Sequence, residues 1–160
     1  MIEVTGVRYD DAQHAAALLD LMDTYARDPA GGGVALSDFV RDNLVTQLAA
    51  RPFFFSVLAF DGDTPVGLIN AIEGFSTFAC RPLVNVHDVV VAPSHRGRGI
   101  AAQMFQQVET LARERGACKL TLEVLQGNVS ARNVYQRLGF TDYQLDPAMG
   151  HAQFLHKWLD

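Results

Sequence analysis

The stretch VNVHDVVVAPSHRGRGIAA at positions 84–102 decides the fold. Its first half is a valine-rich run with a strong preference for β-strand. Pro93 ends this run, a basic loop that contains two glycines follows, and a helical pattern of apolar residues begins at Ile100. The stretch therefore predicts a strand, a loop and a helix in immediate succession.

The loop between this strand and this helix has the composition of an anion site. The first four N–H groups of a helix lack partners within the helix, and the helix dipole is positive at that end. Gly97 and Gly99 carry no side chains that would keep a ligand away from these groups, and Arg96 and Arg98 add positive charge beside them. We expect a phosphate site here. The alternative is a turn whose glycines serve only a positive φ angle.

Two motifs resemble those of one protein family. Residues 96–101, RGRGIA, resemble the R/Q-x-x-G-x-G/A motif with which the GNAT (Gcn5-related) N-acetyltransferases bind the pyrophosphate of acetyl-coenzyme A. Residues 128–140, NVSARNVYQRLGF, resemble the second motif of that family, N-x-x-A-x-x-x-Y-x-x-x-G-F. The two motifs stand in the order and at the spacing of the family, and together they cover residues 84–143.

Periodicity and turn signals predict the other elements of the chain. Strands are expected over 2–9, 53–60, 65–73, 84–91, 118–125, 140–144 and 152–159, and helices from 10–11, after Ser37, from Ile100 and over 130–138. Residues 28–33 are expected to form a flexible loop, and residues 74–82 an irregular aromatic one. The resemblance supplies the topology: a single α/β (α+β) domain over residues 1–160, with helices on both faces of a mixed, mostly antiparallel sheet. That sheet is expected to have six to seven strands, with its central parallel strands splayed apart.

Composition limits the class of protein. The chain has 160 residues, of which 49% are hydrophobic, so it can bury a substantial core. Its net charge of −5 argues against nucleic acid as a partner and suits a cationic substrate. Two cysteines predict neither a disulfide framework nor a metal site, and no apolar stretch is long enough for a membrane span. We expect a cytoplasmic protein without a membrane partner.

The resemblance assigns the cofactor-binding residues. In the family, the arm of acetyl-CoA lies between the splayed strands like an additional strand, and the pyrophosphate lies on the loop. The backbone of Val89 and Val91 would then hold the arm, and the N–H groups of residues 97–102 would hold the pyrophosphate. The full expected set is Val89, Val90, Val91, Arg96, Gly97, Arg98, Gly99, Ile100, Ala101, Ala102, Asn128, Ala131 and Tyr135.

Acetyl transfer to an amine needs a neutral amine and a protonated or stabilised leaving thiolate. Tyr135 falls at the usual general-acid position of the family; the alternative is a helix aromatic whose hydroxyl only finds a partner. His87 is the candidate base, because an unperturbed histidine titrates near pH 6.5. It could instead be a core histidine in a bulged strand. Asp88, Glu73, Glu123 or a water chain are further candidates for the base. Asp88 could also orient a residue, bind a cationic amine, or be a buried hydrogen-bond acceptor.

The function that follows from the resemblance is an acetyl-CoA-dependent N-acetyltransferase. It would transfer the acetyl group directly, in a ternary complex, to a primary amine of a small molecule, and it somewhat resembles the diamine acetyltransferase subgroup. A protein N-terminus or lysine as acceptor, a non-catalytic coenzyme A-binding module, and a homodimer stay open. Gly97, Gly99 and Ala102 also match G-x-G-x-x-A, a dinucleotide fingerprint, but no βαβ pattern precedes them.

Overall fold

A computed structural model describes residues 1–159 of the chain. These residues form two compact units, one from 1 to 122 and one from 123 onward. The first unit holds the sheet. None of the helices in residues 1–159 is both long and apolar enough to cross a membrane.

The first unit is built on a five-stranded sheet whose spatial order follows the chain. The first four strands pair antiparallel in succession, and the fifth pairs parallel with the fourth. The strands are β1 (Ile2–Gly6), β2 (Phe54–Asp61), β3 (Thr64–Ser76), β4 (Arg81–Val91) and β5 (Leu120–Leu122). The mixed sheet confirms the expected fold class, but it has five strands among the described residues instead of six to seven.

Three helices belong to this unit, and local sequence signals set their ends. They are α1 (Ala12–Arg27), α2 (Asp38–Ala49) and α3 (Ile100–Glu114). The Asp11 carboxylate accepts hydrogen bonds from the N–H groups of Gln13 and His14, and Ser37 Oγ accepts one from Val40 N–H, so α1 and α2 both begin at side-chain caps. Both caps stand where the sequence predicts a helix start.

The helices cover opposite faces of the sheet. Leu18 of α1 and Leu48 of α2 pack with Leu68 of β3 in one buried apolar cluster. A Cβ atom on the adjacent Gly67 would lie within 3.2 Å of Ile100 and 2.8 Å of Met104, both on α3. Since neighbouring residues of a strand point to opposite faces, α3 lies on the face opposite α1 and α2. The loop before α3 therefore turns around one end of the sheet.

The prediction of an irregular loop over residues 74–82 is wrong. β3 continues to Ser76 and β4 starts at Arg81, and the pairs Gly74–Leu83 and Ser76–Arg81 extend the ladder. Glycine and proline signals within 74–82 favour a loop locally, but the cross-strand hydrogen bonds of a long hairpin outweigh them. The pair β3–β4 is consequently the longest in the sheet.

The second unit contains α4 (Val129–Arg137) and a 3₁₀ turn (Pro147–Met149). The strands expected over 140–144 and 152–159 do not form in the described residues of this unit. A backbone hydrogen bond from Ala152 N–H to Tyr143 O, at 2.9 Å, joins the two segments. An isolated strand pair has marginal stability without a third strand or a packed face, and most side chains of 140–159 are exposed.

Candidate active site

β4 carries a β-bulge at His87. Asn70 pairs with Asp88 while Ala71 pairs with Val86, so His87 is the extra residue on β4. Asn70 Nδ2 donates to Asp88 Oδ2 at 3.0 Å, and the His87 ring meets Phe54 edge-on with centroids 6.4 Å apart. Phe54 packs on the cluster formed with α1 and α2, and Asn70 Nδ2 also contacts Met22 Sδ of α1. The bulge thus places both titratable side chains, His87 and Asp88, on the face of the sheet that α1 and α2 cover. We call this the α1–α2 face.

Beyond the bulge, the outer backbone edge of β4 extends past its pairing with β5. The β4–β5 register spans Val84–Val86. Ala92 N–H donates to Val66 O at 2.9 Å, whereas Val91 O accepts from Arg96 Nε at 3.2 Å. Because successive residues of a strand direct their backbone groups to opposite sides, Val89 and Val91 direct theirs away from β3. This is the edge on which an extended arm could add as a further strand.

Val90 differs from its two neighbours. Its backbone groups turn toward β3, and its side chain is buried in the cluster with Leu18 and Leu68. The Val90 side chain therefore packs in the core, whereas the backbone groups of Val89 and Val91 lie at the outer edge of β4.

The loop after β4 presents the N-terminus of α3 without a side-chain cap. Gly97 and Gly99 have φ angles of 77° and 76°, which favour glycine, and a Cβ atom on either would meet no other atom within 4 Å. Gly99 stands at the cap position, where α1, α2 and α4 each have a capping side chain and α3 has none. The first intrahelical bond runs from Gln103 N–H to Gly99 O, so the preceding N–H groups are available to an anion.

Both arginines of the loop are engaged by carboxylates, which the sequence does not predict. Arg96 Nη2 lies 3.0 Å from Asp28 Oδ2, and Arg98 Nη2 lies 3.3 Å from Asp61 Oδ2. Asp61 Oδ1 also accepts a hydrogen bond from the N-terminal ammonium group at 3.2 Å, and Asp61 Oδ2 lies 3.4 Å from His95 Nε2. Both guanidinium groups of the loop are therefore held in ion pairs.

Asp28 connects this loop to the α1–α2 connector, residues 28–37. Its carboxylate accepts from Ala30 N–H at 2.9 Å and so caps a 3₁₀ turn, Pro29–Gly31. The Ala30 N–H and the Arg96 guanidinium lower the pKa of Asp28. A lowered carboxyl pKa stabilises the fold at pH values above the ordinary one, and this contribution is lost as pH falls through the lowered value. The connector is therefore anchored to the loop at neutral pH.

The connector also requires a glycine at position 31. A Cβ atom there would lie 2.0 Å from Tyr25 O and 2.7 Å from its carbonyl carbon, both backbone atoms. We expect Gly31→Ala to lower the free energy of unfolding by about 1–3 kcal/mol, as overpacking against a fixed neighbour does. Denaturant unfolding measures this loss. Gly6→Ala is the control, because a Cβ at Gly6 meets no other atom within 4 Å. Equal stability of the two variants would contradict the prediction.

Tyr25 marks an electronegative region on the α1–α2 face. Burial raises the pKa of Tyr25, and the carboxylates of Asp88 and Asp28 raise it further. Asp28 is paired with Arg96, whereas no ion-pair partner of Asp88 occurs within residues 1–159. This region suits a cationic group.

The other candidate carboxylates are not part of this region. Glu73 Oε2 lies 3.1 Å from Arg115 Nη1, and the Arg115 guanidinium lies 4.6 Å above the Phe55 ring. Glu73 shares the face of Ala71 and Phe55, which α3 covers, so it lies across the sheet from His87. Glu123 is exposed at the start of the second unit.

The second motif forms α4 of the second unit. Asn128 caps this helix, since its Oδ1 accepts from Ala131 N–H at 3.2 Å, and Gly139 with φ of 92° follows its end. The Tyr135 ring meets Phe140 edge-on with centroids 6.0 Å apart. Asn128 and Tyr135 therefore stand on the element that the motif predicts. His151 is exposed, and His156 stacks edge-on with Trp158 at 5.7 Å.

Sequence reasoning missed two buried polar residues behind Asp88. Ser56 and Asn70 are each 2% exposed, in strands whose neighbouring residues are apolar. A polar residue inside an apolar strand is the signal that could have found them, because a buried polar group needs a hydrogen-bond partner. Asp28 and Asp61 offer no comparable signal, since each is also an ordinary turn residue.

Comparison with known proteins identifies the family of the chain. The acetyltransferase (GNAT) family model matches residues 15–140, and the chain belongs to this family. Streptothricin acetyltransferase from Streptomyces lavendulae is 38% identical over 87 residues, which are 52% of this chain and 46% of that protein. Thialysine N-epsilon-acetyltransferase from Bos taurus is 34% identical over 68 residues, 42% of this chain and 39% of that one. The matches thus span less than half the length of these relatives.

Solved structures share the fold at low identity. The ribosomal-protein-alanine N-acetyltransferase from Brucella melitensis biovar Abortus 2308 superposes with a TM-score of 0.78 at 16% identity, covering 99% of this chain and 100% of that one. AAC(6')-Iy in complex with the bisubstrate analog CoA-S-monomethyl-acetylneamine gives a TM-score of 0.78 at 17% identity, covering 99% of each chain. At these identities the likeness concerns the fold alone.

Proposed function

We propose that the chain is an acetyl-CoA-dependent N-acetyltransferase that transfers the acetyl group directly to a primary amine of a small molecule in a ternary complex. The observation that carries the proposal is the α3 N-terminus, which has no capping side chain and lies behind two glycines with open space in front of them. This site directly follows the outer backbone edge of β4. Membership of the GNAT family supports the same activity.

The residues around α3 fit the carrier of the acetyl group. The N–H groups of residues 97–102 would hold the pyrophosphate, and the backbone groups of Val89 and Val91 would hold the extended arm. Ile100 is 1% exposed, so its side chain anchors the helix while its N–H contributes to the anion site. When bound, acetyl-CoA supplies the activated acyl group as a thioester. The protein supplies position and hydrogen-bond donors.

The α1–α2 face of β4 fits the acceptor. Asp88 lacks an ion-pair partner within residues 1–159, and its carboxylate raises the pKa of Tyr25, so a cationic amine would be attracted here. The two curated relatives are named for acceptors that carry amino groups, streptothricin and thialysine. We propose an acceptor with more than one amino group. Two free thiols, Cys80 and Cys118, suit a cytoplasmic location.

Two side chains would handle protons in this reaction. His87 is exposed on the bulge, beside Asp88, where it would take the proton of the incoming ammonium. Tyr135 would give a proton to the leaving thiolate; the resemblance of its motif supports this role. A tyrosine hydroxyl keeps its proton near neutral pH, since its ordinary pKa is about 10.

A thiol-release screen tests the function. The purified chain is incubated with acetyl-CoA and a panel of amines: polyamines, amino acids, aminoglycosides, streptothricin and a lysine peptide. We expect at least one small polyamine to release free coenzyme A well above the amine-free rate. Binding of coenzyme A without release for any amine would overturn the proposal in favour of a non-catalytic coenzyme A-binding module.

Replacement of the candidate base should change the pH profile. We expect His87→Gln to lower kcat/KM by about 100-fold, the lower end of general-base contributions, and to remove the fall in rate on the acidic side. Glutamine keeps a polar side chain of similar length on the bulge but cannot take the proton. Rates at a series of pH values measure the effect. His151→Gln, an exposed histidine of the second unit, should keep the acidic limb. Persistence of that limb in His87→Gln would place the base elsewhere.

A further inference from the structure

A chain of hydrogen bonds runs through the sheet and ends on Asp88. Tyr9 Oη lies 2.9 Å from Ser56 Oγ, Ser56 Oγ lies 2.6 Å from Asn70 Oδ1, and Asn70 Nδ2 lies 3.0 Å from Asp88 Oδ2. The chain crosses from β2 through β3 to β4. Its two central members, Ser56 and Asn70, are each 2% exposed. The four residues therefore form a polar path whose centre is buried among apolar residues and whose two ends, Tyr9 and Asp88, are half-buried.

The chemistry of the groups fixes the direction of every proton. The Asp88 carboxylate can only accept, so the Asn70 amide directs Nδ2 toward it and Oδ1 toward Ser56. Asn70 Oδ1 is an acceptor, so the single hydroxyl proton of Ser56 points to it. Ser56 Oγ must then accept from the Tyr9 hydroxyl. All three donors point toward Asp88.

The surroundings of both ends of the hydrogen-bond chain, Tyr9 and Asn70, are consistent with donation toward Asp88. Burial raises the pKa of Tyr9, so its hydroxyl stays protonated and remains a donor. At the other end, the second N–H of Asn70 Nδ2 contacts Met22 Sδ at 3.3 Å. The amide orientation is thereby locked from both sides, because a flipped amide would place its oxygen against the carboxylate. Asp88 Oδ2 is held at a fixed position.

The fixed position of the Asp88 carboxylate can serve the recognition of the acceptor. Asp88 is half-buried beside the bulge, and the hydrogen bond from Asn70 occupies one of its two carboxylate oxygens. A carboxylate fixed in this way discriminates by position between acceptors that carry a second ammonium and those that do not. An apolar strand pair could fill the same space without burying two polar side chains.

We propose that Asn70, Ser56 and Tyr9 are positioning residues that hold Asp88 for the non-reacting ammonium of an acceptor with two or more amino groups. The inference rests on the proposed function, because it concerns the acceptor of that reaction. The reacting amine must be neutral when it attacks, so the second amine carries the charge that Asp88 binds. The three residues touch Asp88 directly or through one another and act through it.

Binding of two matched amines tests the inference without relying on turnover. Calorimetry in the presence of coenzyme A compares cadaverine, which has two amino groups, with pentylamine, which has one. We expect the unaltered chain to bind cadaverine more tightly. Asn70→Leu should reduce that preference about tenfold, the usual loss on removing one partner of a charge-assisted hydrogen bond, with smaller losses for Ser56→Ala and Tyr9→Phe.

Controls separate positioning from stability. Tyr9→Phe keeps the aromatic ring, and thermal unfolding verifies that each variant is folded. Thr110→Ala deletes a hydroxyl on α3, whose partner is Gln106 O, and should leave the preference unchanged. If the hydrogen-bonded residues only stabilised the fold, their substitution would weaken the binding of both amines equally and leave the ratio of the two affinities constant. That result would overturn the inference. Equal affinity of the unaltered protein for the two amines would also overturn the inference. Failure of the thiol-release screen is a different result, since it concerns transfer and not this ratio.

Discussion

Replacing Tyr135 by phenylalanine is expected to lower kcat by about 100- to 1,000-fold, because the loss of a general acid removes about this much. The fall in kcat should far exceed any loss of affinity for acetyl-CoA. The thiolate that leaves acetyl-CoA needs a proton, and phenylalanine has none to give. The change is conservative for the fold, since the ring that meets Phe140 edge-on at 6.0 Å is kept. Steady-state thiol release gives kcat, and calorimetry gives the affinity for acetyl-CoA.

Tyr143→Phe is the matched control for this variant. Tyr143 belongs to the same unit and is 50% exposed, and no catalytic role is proposed for it. The deletion of its hydroxyl should leave kcat unchanged, so any loss of activity specific to Tyr135→Phe comes from the position of that hydroxyl. If kcat of Tyr135→Phe lies within twofold of that of the unaltered protein, Tyr135 is not the general acid. A twofold change is well below the effect of losing a general acid.

Local sequence predicts the parts of the site that depend on consecutive residues. The strand, loop and helix of residues 84–102 follow from β-branched residues, a proline and glycines with positive φ, all of which act within a few residues. The starts of α1 and α2 follow from the single capping side chains of Asp11 and Ser37. These signals are strong because the partner of each group is only two or three residues away.

Long-range pairing determines what local sequence does not. The bulge that brings His87 and Asp88 to one face depends on the register of β4 against β3. Arg96 and Asp28 are separated by 68 residues, and no local pattern indicates that they pair. The hairpin over residues 74–82 likewise forms through cross-strand bonds that compete with local loop preferences. For the same reason, the alternating pattern of 140–159 does not suffice for a strand.

Gly99→Ala is expected to weaken acetyl-CoA binding by about 10- to 100-fold, the loss of one or two hydrogen bonds to a charged group. Gly99 has a φ of 76°, which a residue with a Cβ atom adopts at a cost of about 1–2 kcal/mol. The added methyl group would occupy the open space in front of the α3 N-terminus, or the backbone would rotate and turn its N–H groups away. Either change removes donors from the pyrophosphate. Calorimetric titration with acetyl-CoA measures the loss.

The backbone strain of an alanine at a positive φ angle would by itself destabilise α3. The control variant must therefore carry the same strain at a position away from the α3 N-terminus. Gly116 lies beyond the other end of α3 with a φ of 75°, and a Cβ atom there would meet no other atom within 4 Å, as at Gly99. Gly116→Ala should therefore lower the free energy of unfolding by a similar amount and leave acetyl-CoA affinity intact. If both variants lose affinity equally, the effect stems from helix stability and the α3 N-terminus is not the anion site. A loss confined to Gly99→Ala identifies the bare amides of the loop as the groups that hold the cofactor.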